Sequence, residues 1–184
     1  LKKNNIKSHD WLINLWSDYI FEEELISIFK KTINIHPSYL PYCKGSDPIL
    51  WTLINEFQAG VTLHSINTKI DSGNIYCQKK IKTSFPIKGS DLYSCIANES
   101  ISFFKQNWIK IRNGKLKTLK NNTPNKIYKR SELIKYQTID INKNIKIKKF
   151  ILKALAYDFN DDFKLKIKYK NNEYFLSLNL EKIK

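Results

Sequence analysis

Thr32-Ile33-Asn34-Ile35-His36-Pro37-Ser38-Tyr39-Leu40-Pro41 opens as a short apolar strand and ends in a segment that two prolines take out of regular structure. Strand side chains alternate with period two, so Asn34 and His36 point to one side at the strand's carboxyl end. Further on, Ile70-Asp71-Ser72-Gly73 sets a carboxylate on a glycine-bearing loop after the next strand. An amide, an imidazole and a carboxylate form a set suited to moving an acyl group. The amide holds a developing oxyanion, the imidazole handles a proton and the carboxylate partners it.

Working outward, Trp11-Leu12-Ile13-Asn14-Leu15-Trp16 is a nearly continuous apolar run, expected as a strand buried on both faces. Glu22 to Lys31 places Leu25, Ile28 and Phe29 on one face, with acids first and lysines last, which predicts a helix. Asp47-Pro48 predicts a second helix, with Asp as cap and Pro in the first turn, running through Trp51, Leu53, Ile54 and Phe57 and stopping before Gly60. Val61 to Asn67 and Gly73 to Ile81 read as strands. Ser90-Asp91 opens the longest helix, with Leu92, Ile96, Phe103, Phe104 and Trp108 among its apolar positions and Gly114 closing it. This alternation predicts an α/β domain with a mostly parallel sheet. In such sheets the ligand crevice lies beyond the carboxyl ends of the strands, near Asn34 and His36.

Lys115 to Lys129 is rich in lysine and asparagine and carries Pro124, so it reads as a linker. Asn144 to Tyr157 is expected to be a short helix. Phe163 to Tyr169 alternates strictly, and Tyr174 to Leu180 follows a turn at Lys170-Asn171-Asn172-Glu173, which predicts a hairpin with one apolar and one basic face. Three parts are therefore expected: a catalytic segment over 1–114, a linker over 115–130 and a C-terminal extension over 131–184 ending in a β-hairpin. A lone hairpin is marginal in water, so its apolar face must cover this domain or a second subunit.

Composition excludes several classes. With 184 residues, 42% of them hydrophobic and 13% aromatic, the chain can build a core and is not globally disordered. No run approaches the 18 apolar residues of a membrane span, and no signal peptide is visible. Cys43, Cys77 and Cys95 are scattered and odd in number, without metal-ligand spacing. They read as buried thiols in a reducing cytoplasm rather than a disulfide frame, with no metal and no thiol catalysis expected. The formal net charge of +15 invites a nucleic-acid reading. Nearly all of that charge is lysine, however, with Arg112 and Arg130 the sole arginines, and base-reading or phosphate-clamping surfaces favour arginine. The bias is read as compositional. The chain has no methionine, so position 1 is not expected to be a translation start.

Asn34 to Pro41, then Gly45, then Gly60-Val61-Thr62-Leu63-His64, then Asp71-Ser72-Gly73 occur in an order and near a spacing that resemble the formyltransferase family using 10-formyltetrahydrofolate. The resemblance spans residues 10 to 112 and implies a partial Rossmann-like domain, with further strand–helix units of about 30 residues each expected upstream. It implies that Asn34 holds the formyl oxygen and that His36 and Asp71 complete the catalytic set. Ser72 departs from the threonine common in relatives but keeps the hydroxyl. By the same resemblance, Leu15, Trp16, Leu40, Pro41, Ile70 and Gly73 border the folate site, and Tyr39, Lys44 and Gly45 lie toward an anionic acceptor. His64, in an alternating strand, is read as a packing residue.

Within the family, Pro48-x-x-Trp51 and the short Gly60-Val61-Thr62 approach look less like glycinamide ribonucleotide enzymes or hydrolases. Lys129-Arg130-Ser131-Glu132-Leu133, Ile139-Asp140 and the terminal hairpin are more similar to sugar N-formyltransferases, in which such an extension supports dimerisation. The expected reaction is therefore formylation of the amine of a nucleotide-linked amino sugar, through a tetrahedral intermediate, by a cytoplasmic homodimer. The alternatives are a methionyl-tRNA formyltransferase with a shortened tail and, from another class, a basic nucleic-acid-binding or catalytically inactive relative.

Overall fold

The computed structural model describes residues 9–17, 19–121, 126–159 and 163–183. Residues 1–8 of the expected catalytic segment and Pro124 of the expected linker lie outside them. Strand β1 (His9–Leu15) pairs in parallel with β2 (Phe29–His36), and the short helix α1 (Glu23–Ile26) connects them. The helix expected over Glu22 to Lys31 is thus a single turn. Its second half joins β2, because Phe29 and Lys31 are drawn into register with His9 and Trp11. Ladder pairing here outweighs helical patterning, a weak preference that tertiary context overrides.

The main sheet has the order β1-β2-β4-β5, with β4 spanning Gly60–His64 and β5 spanning Ile75–Lys80. The parallel pairing expected from the sequence holds β1 to β2, whereas β4 runs antiparallel to both of its neighbours. The sheet is mixed rather than mostly parallel. One cause is length: residues 65–74 form a connection between β4 and β5 too short for a helical crossover. All of β4 is buried, its polar Thr62 and His64 as well as its apolar Val61 and Leu63.

Helix α3 (Gly89–Arg112) covers one face of the sheet, packing Leu92, Ile96 and Phe103 onto Ile33, Ile35, Val61 and Leu63. Each such side chain contributes about 1.5–3 kcal/mol when fully buried. A second core joins Leu50 and Trp51 of helix α2 (Pro48–Ile54) to Leu133 of α4 (Arg130–Tyr136), Ala154 of α5 (Ile147–Ala156), Tyr157 and Leu165. Helix α2 belongs to both cores, since Ile49 packs with the sheet while Leu50 and Trp51 face the C-terminal elements.

The segment expected to be a linker is tied down where it is described. Leu119 bridges to Ile75, and strand β6 (Ile127–Tyr128) pairs with β3 (Lys44–Gly45). The C-terminal hairpin consists of β8 (Leu165–Tyr169) and β9 (Asn172–Leu176), and β7 (Thr138–Asp140) adds a parallel third strand to it. No helix among the described residues is long and apolar enough to cross a membrane.

Candidate active site

Sheet register assembles the site. Asn34 lies directly opposite Asn14 on β1 and opposite His64 on β4, so three polar side chains stand in a row across adjacent strands. Asn14 Nδ2 donates to Asn34 Oδ1 at 2.9 Å, and Asn34 Nδ2 lies 3.2 Å from His64 Nε2. His64 Nδ1 sits 2.7 Å from the Ser65 carbonyl, which can only accept, so that nitrogen carries the proton. In the neutral ring Nε2 is then the acceptor for the Asn34 amide.

Two residues along β2, on the same side as Asn34, His36 is buried and obeys the same logic. Its Nε2 is 2.9 Å from the Cys43 carbonyl and must donate there. Its Nδ1 faces Asp71 Oδ2 at 3.6 Å. Burial lowers the pKa of His36, opposed by the Asp71 carboxylate, and the net direction is down. The ring is therefore neutral at pH 7, with Nδ1 as its basic nitrogen.

Asp71 closes the cluster. Its backbone is in the left-handed region at φ 44°, a conformation that aspartate tolerates better than most residues. Asn121 Nδ2 donates to its carbonyl at 2.9 Å, and the Gly45 N–H donates to Oδ2 at 2.8 Å. Burial pushes the carboxyl pKa up, but the histidines beside it, in their protonated form, and the Gly45 N–H outweigh it and hold the carboxyl below the usual carboxylate range. Gly45 itself has φ +100°, and any Cβ there would run into the Tyr128 carbonyl, so the donor strand must carry glycine. Asp71 Oδ1 is 3.4 Å from Asn34 Nδ2 and 3.5 Å from His64 Nε2.

These groups lie in the wall of a cavity of about 420 Å³. Trp16, Tyr93 and Phe159 line it together: Tyr93 stacks edge-on against Trp16 at 5.5 Å and against Phe159 at 5.1 Å. Ile70 and Ile66 add apolar surface, whereas Lys69 and Arg130 bring positive charge to the lining. Arg130 also donates two hydrogen bonds of 2.9 Å to the Asp47 carboxylate. That pairing explains why Asp47 makes no side-chain cap on α2, contrary to expectation. Its backbone is left-handed, and its oxygens are taken by Arg130. A flat, partly apolar heterocycle and a formyl group to be polarised both suit an aromatic wall facing amide and imidazole groups.

The formyl transferase family model matches residues 17–102. The bifunctional polymyxin resistance protein ArnA of Wigglesworthia glossinidia brevipalpis is 37% identical over 108 residues, covering 53% of this chain and 16% of that protein. The methionyl-tRNA formyltransferase of Borrelia garinii subsp. bavariensis is 35% identical over 97 residues, covering 52% of this chain and 31% of that enzyme. The match thus spans less than a third of the length of either relative. A 4-N formyltransferase from Francisella tularensis superposes with a TM-score of 0.86 at 25% identity, covering 95% of this chain and 72% of that one. The formyltransferase PseJ from Anoxybacillus kamchatkensis, in complex with UDP-4,6-dideoxy-4-formamido-L-AltNAc and tetrahydrofolate, is 30% identical with a TM-score of 0.66. That match covers 73% of this chain and 70% of PseJ. The chain belongs to the formyltransferase family.

The sequence-derived site residues of this formyltransferase-family chain fall into two groups. Asn34, His36, Asp71, Trp16, Ile70 and Gly45 all line the cavity. The others lie outside its lining. Leu15 is 63% exposed, and Leu40 is buried with its backbone held by Thr62 and Gln78. Pro41 is exposed, and Tyr39 packs over Gly60. Gly73 is pressed against the Ser65 backbone, and Lys44 is buried with its ammonium donating to Ser72 Oγ at 2.8 Å. Asn14, His64 and Arg130 line the cavity without having been singled out as site residues. For the first two the signal is register against Asn34, which becomes readable once strand order is known.

Proposed function

We propose that this chain transfers a formyl group from 10-formyltetrahydrofolate to the amine of a nucleotide-linked amino sugar. The observation that carries this reading is the convergence of Asn34, His36 and Asp71 on one cavity wall, with the Asn34 N–H bonds turned away from Asn14. The PseJ complex, whose ligands are a formamido nucleotide sugar and tetrahydrofolate, supports the choice of acceptor and donor. When bound, the folate donor supplies an electrophilic formyl carbon on a nitrogen that can depart.

As the acceptor amine adds, negative charge grows on the formyl oxygen, and Asn34 Nδ2–H stabilises it. His36 Nδ1 takes the proton shed by the amine and returns a proton to the departing nitrogen. Asp71, 3.6 Å away, stabilises the imidazolium while it lasts. Trp16 and Ile70 hold the apolar part of the donor, and Lys69 and Arg130 favour an anionic acceptor. We further read the enzyme as a cytoplasmic homodimer joined through the β8–β9 hairpin, where Tyr174 and Phe175 are exposed. Light scattering at several concentrations tests that assembly.

A second acceptor, methionyl-tRNA, is favoured by the Borrelia relative and by the +15 charge. The deciding experiment offers 10-formyltetrahydrofolate with a panel of nucleotide-linked amino sugars and, in parallel, with methionyl-tRNA, and reads formylated product by mass. Formyl gain on a sugar, abolished in His36→Ala, supports the first reading. Gain on tRNA alone, falling steeply with salt, replaces it with the second.

A further inference from the structure

Strand β1 is apolar in text, yet the residue it buries most deeply is polar: Asn14, at 8% exposure, between exposed Ile13 and exposed Leu15. A primary amide withdrawn from water needs partners, and register supplies one by setting Asn14 opposite Asn34 in the parallel ladder. The contact is directional, because Asn14 Nδ2 donates and Asn34 Oδ1 accepts, at 2.9 Å.

The two ends of a carboxamide have nearly the same shape and opposite hydrogen-bonding sense. An oxyanion donor that turns over by 180° about its last bond presents an oxygen to a developing negative charge. Three contacts set the sense of Asn34, the longest being the 3.4 Å hydrogen bond from its Nδ2 to Asp71 Oδ1. Asn14 occupies Oδ1 with a donor, and His64, with its Nδ1–H committed to the Ser65 carbonyl, offers Nε2 as an acceptor to Nδ2. We infer that Asn14 is a positioning residue for formyl transfer, fixing the Asn34 amide so that its N–H bonds, and not its oxygen, face the reacting centre. This inference rests on the reading of Asn34 as the oxyanion donor.

The test compares Asn14→Asp with Asn14→Ala. An ionised carboxylate has the shape of the amide but only accepts, so it opposes the native sense of Asn34, whereas alanine merely stops enforcing it. The expected result is a kcat loss of about 100-fold for Asn14→Asp, the scale of a lost oxyanion donor. Asn14→Ala is expected to lose about tenfold, the scale of one hydrogen bond. KM for both substrates should stay within about twofold, because the loss falls on the transition state. A packing role gives losses that follow the thermal midpoint instead.

The Asn34 side-chain amide protons, assigned by their disappearance in Asn34→Asp, are followed by NMR in the same proteins and need no turnover. Shifted Asn34 signals in both variants support the positioning role, even where wild type formylates neither acceptor, an outcome that sinks the proposed function alone. Unmoved Asn34 signals, or a kcat for Asn14→Asp within about threefold of wild type in an active enzyme, overturn the inference. If Asn14→Asp does not fold, Asn14→Ala carries both measurements.

Discussion

His36 donates Nε2–H to the Cys43 carbonyl at 2.9 Å, and that bond decides which nitrogen can act as a base. The carbonyl oxygen cannot donate, so the proton of the neutral ring stays on Nε2 and the lone pair is left on Nδ1, toward Asp71. A neutral ring and a carboxylate oxygen 3.6 Å apart face each other as two acceptors. Protonation of Nδ1 turns that contact into an ion pair. Asp71 thus acts on the protonated form of His36, and the Cys43 carbonyl does the orienting.

The pH dependence of kcat/KM follows. Burial holds the His36 pKa below its ordinary value of about 6.5, so the neutral, active form persists on the acid side of neutrality. The acid limb should lie below pH 6.5. In Asp71→Asn the carboxylate that raises the His36 pKa is gone, so the limb should move to still lower pH while the plateau falls. A limb that stays in place or moves to higher pH would show that another group controls it.

Replacing Asn34 by alanine removes the N–H donor and leaves Asn14 Nδ2 and His64 Nε2 without their partner. Turnover should fall about 100- to 1000-fold, the usual loss for one oxyanion donor. The fold should persist, because the side chain is only partly buried and lies beside a cavity. Near-normal turnover in a folded Asn34→Ala protein would remove Asn34 from the chemistry.

Much of this site was legible in the sequence because two of its members are local. Asn34 and His36 share a face by strand alternation, and Asp71 stands on a loop marked by Asp-Ser-Gly. Asn14 and His64 were not legible. Each meets Asn34 through a pairing 20 or 30 residues distant, and strand order is not written in periodicity. The same distance effect misled the local signals. Asp47 has the text of a helix cap, but Arg130, 83 residues downstream, holds its carboxylate. Phe29 to Lys31 has helical patterning, but pairing with β1 claims it for a strand.

Acid should weaken the fold in two stages. His36 in the folded chain has a lowered pKa, so the unfolded chain takes up a proton first, and stability declines as pH drops below about 6.5. Asp71 has a depressed pKa in the folded chain, so its contribution is fully present above about pH 3.9 and is lost as pH falls through the folded value. Urea midpoints should therefore decrease from pH 7 to 5 and again toward pH 3. His36→Gln should flatten the first decline and Asp71→Asn the second. A first decline of unchanged size in His36→Gln would assign it to other groups.

Gly73 and Gly114 make a matched pair for locating where the Asp71 loop tolerates nothing. A Cβ on Gly73 would overlap the Ser65 carbonyl, whose residue continues directly from His64, so the Asp71 loop and the end of β4 would have to separate. Gly114 has φ +69° and nothing within 4 Å of an added Cβ, so alanine there meets only the backbone penalty of the left-handed region. Gly73→Ala should cost about 1–3 kcal/mol through overpacking, and Gly114→Ala about 1–2 kcal/mol through conformation. The stability losses are thus similar, but the activity losses should not be. Moving the Ser65 carbonyl disturbs the acceptor that fixes the His64 tautomer, and moving the loop shifts Asp71 from His36. Under conditions where both variants are folded, Gly73→Ala should lose turnover well beyond tenfold, since small misplacements at a reacting centre are costly, while Gly114→Ala should retain it. Equal activities in the two folded variants would mean that the close approach of Gly73 to Ser65 serves stability and not the geometry of the site.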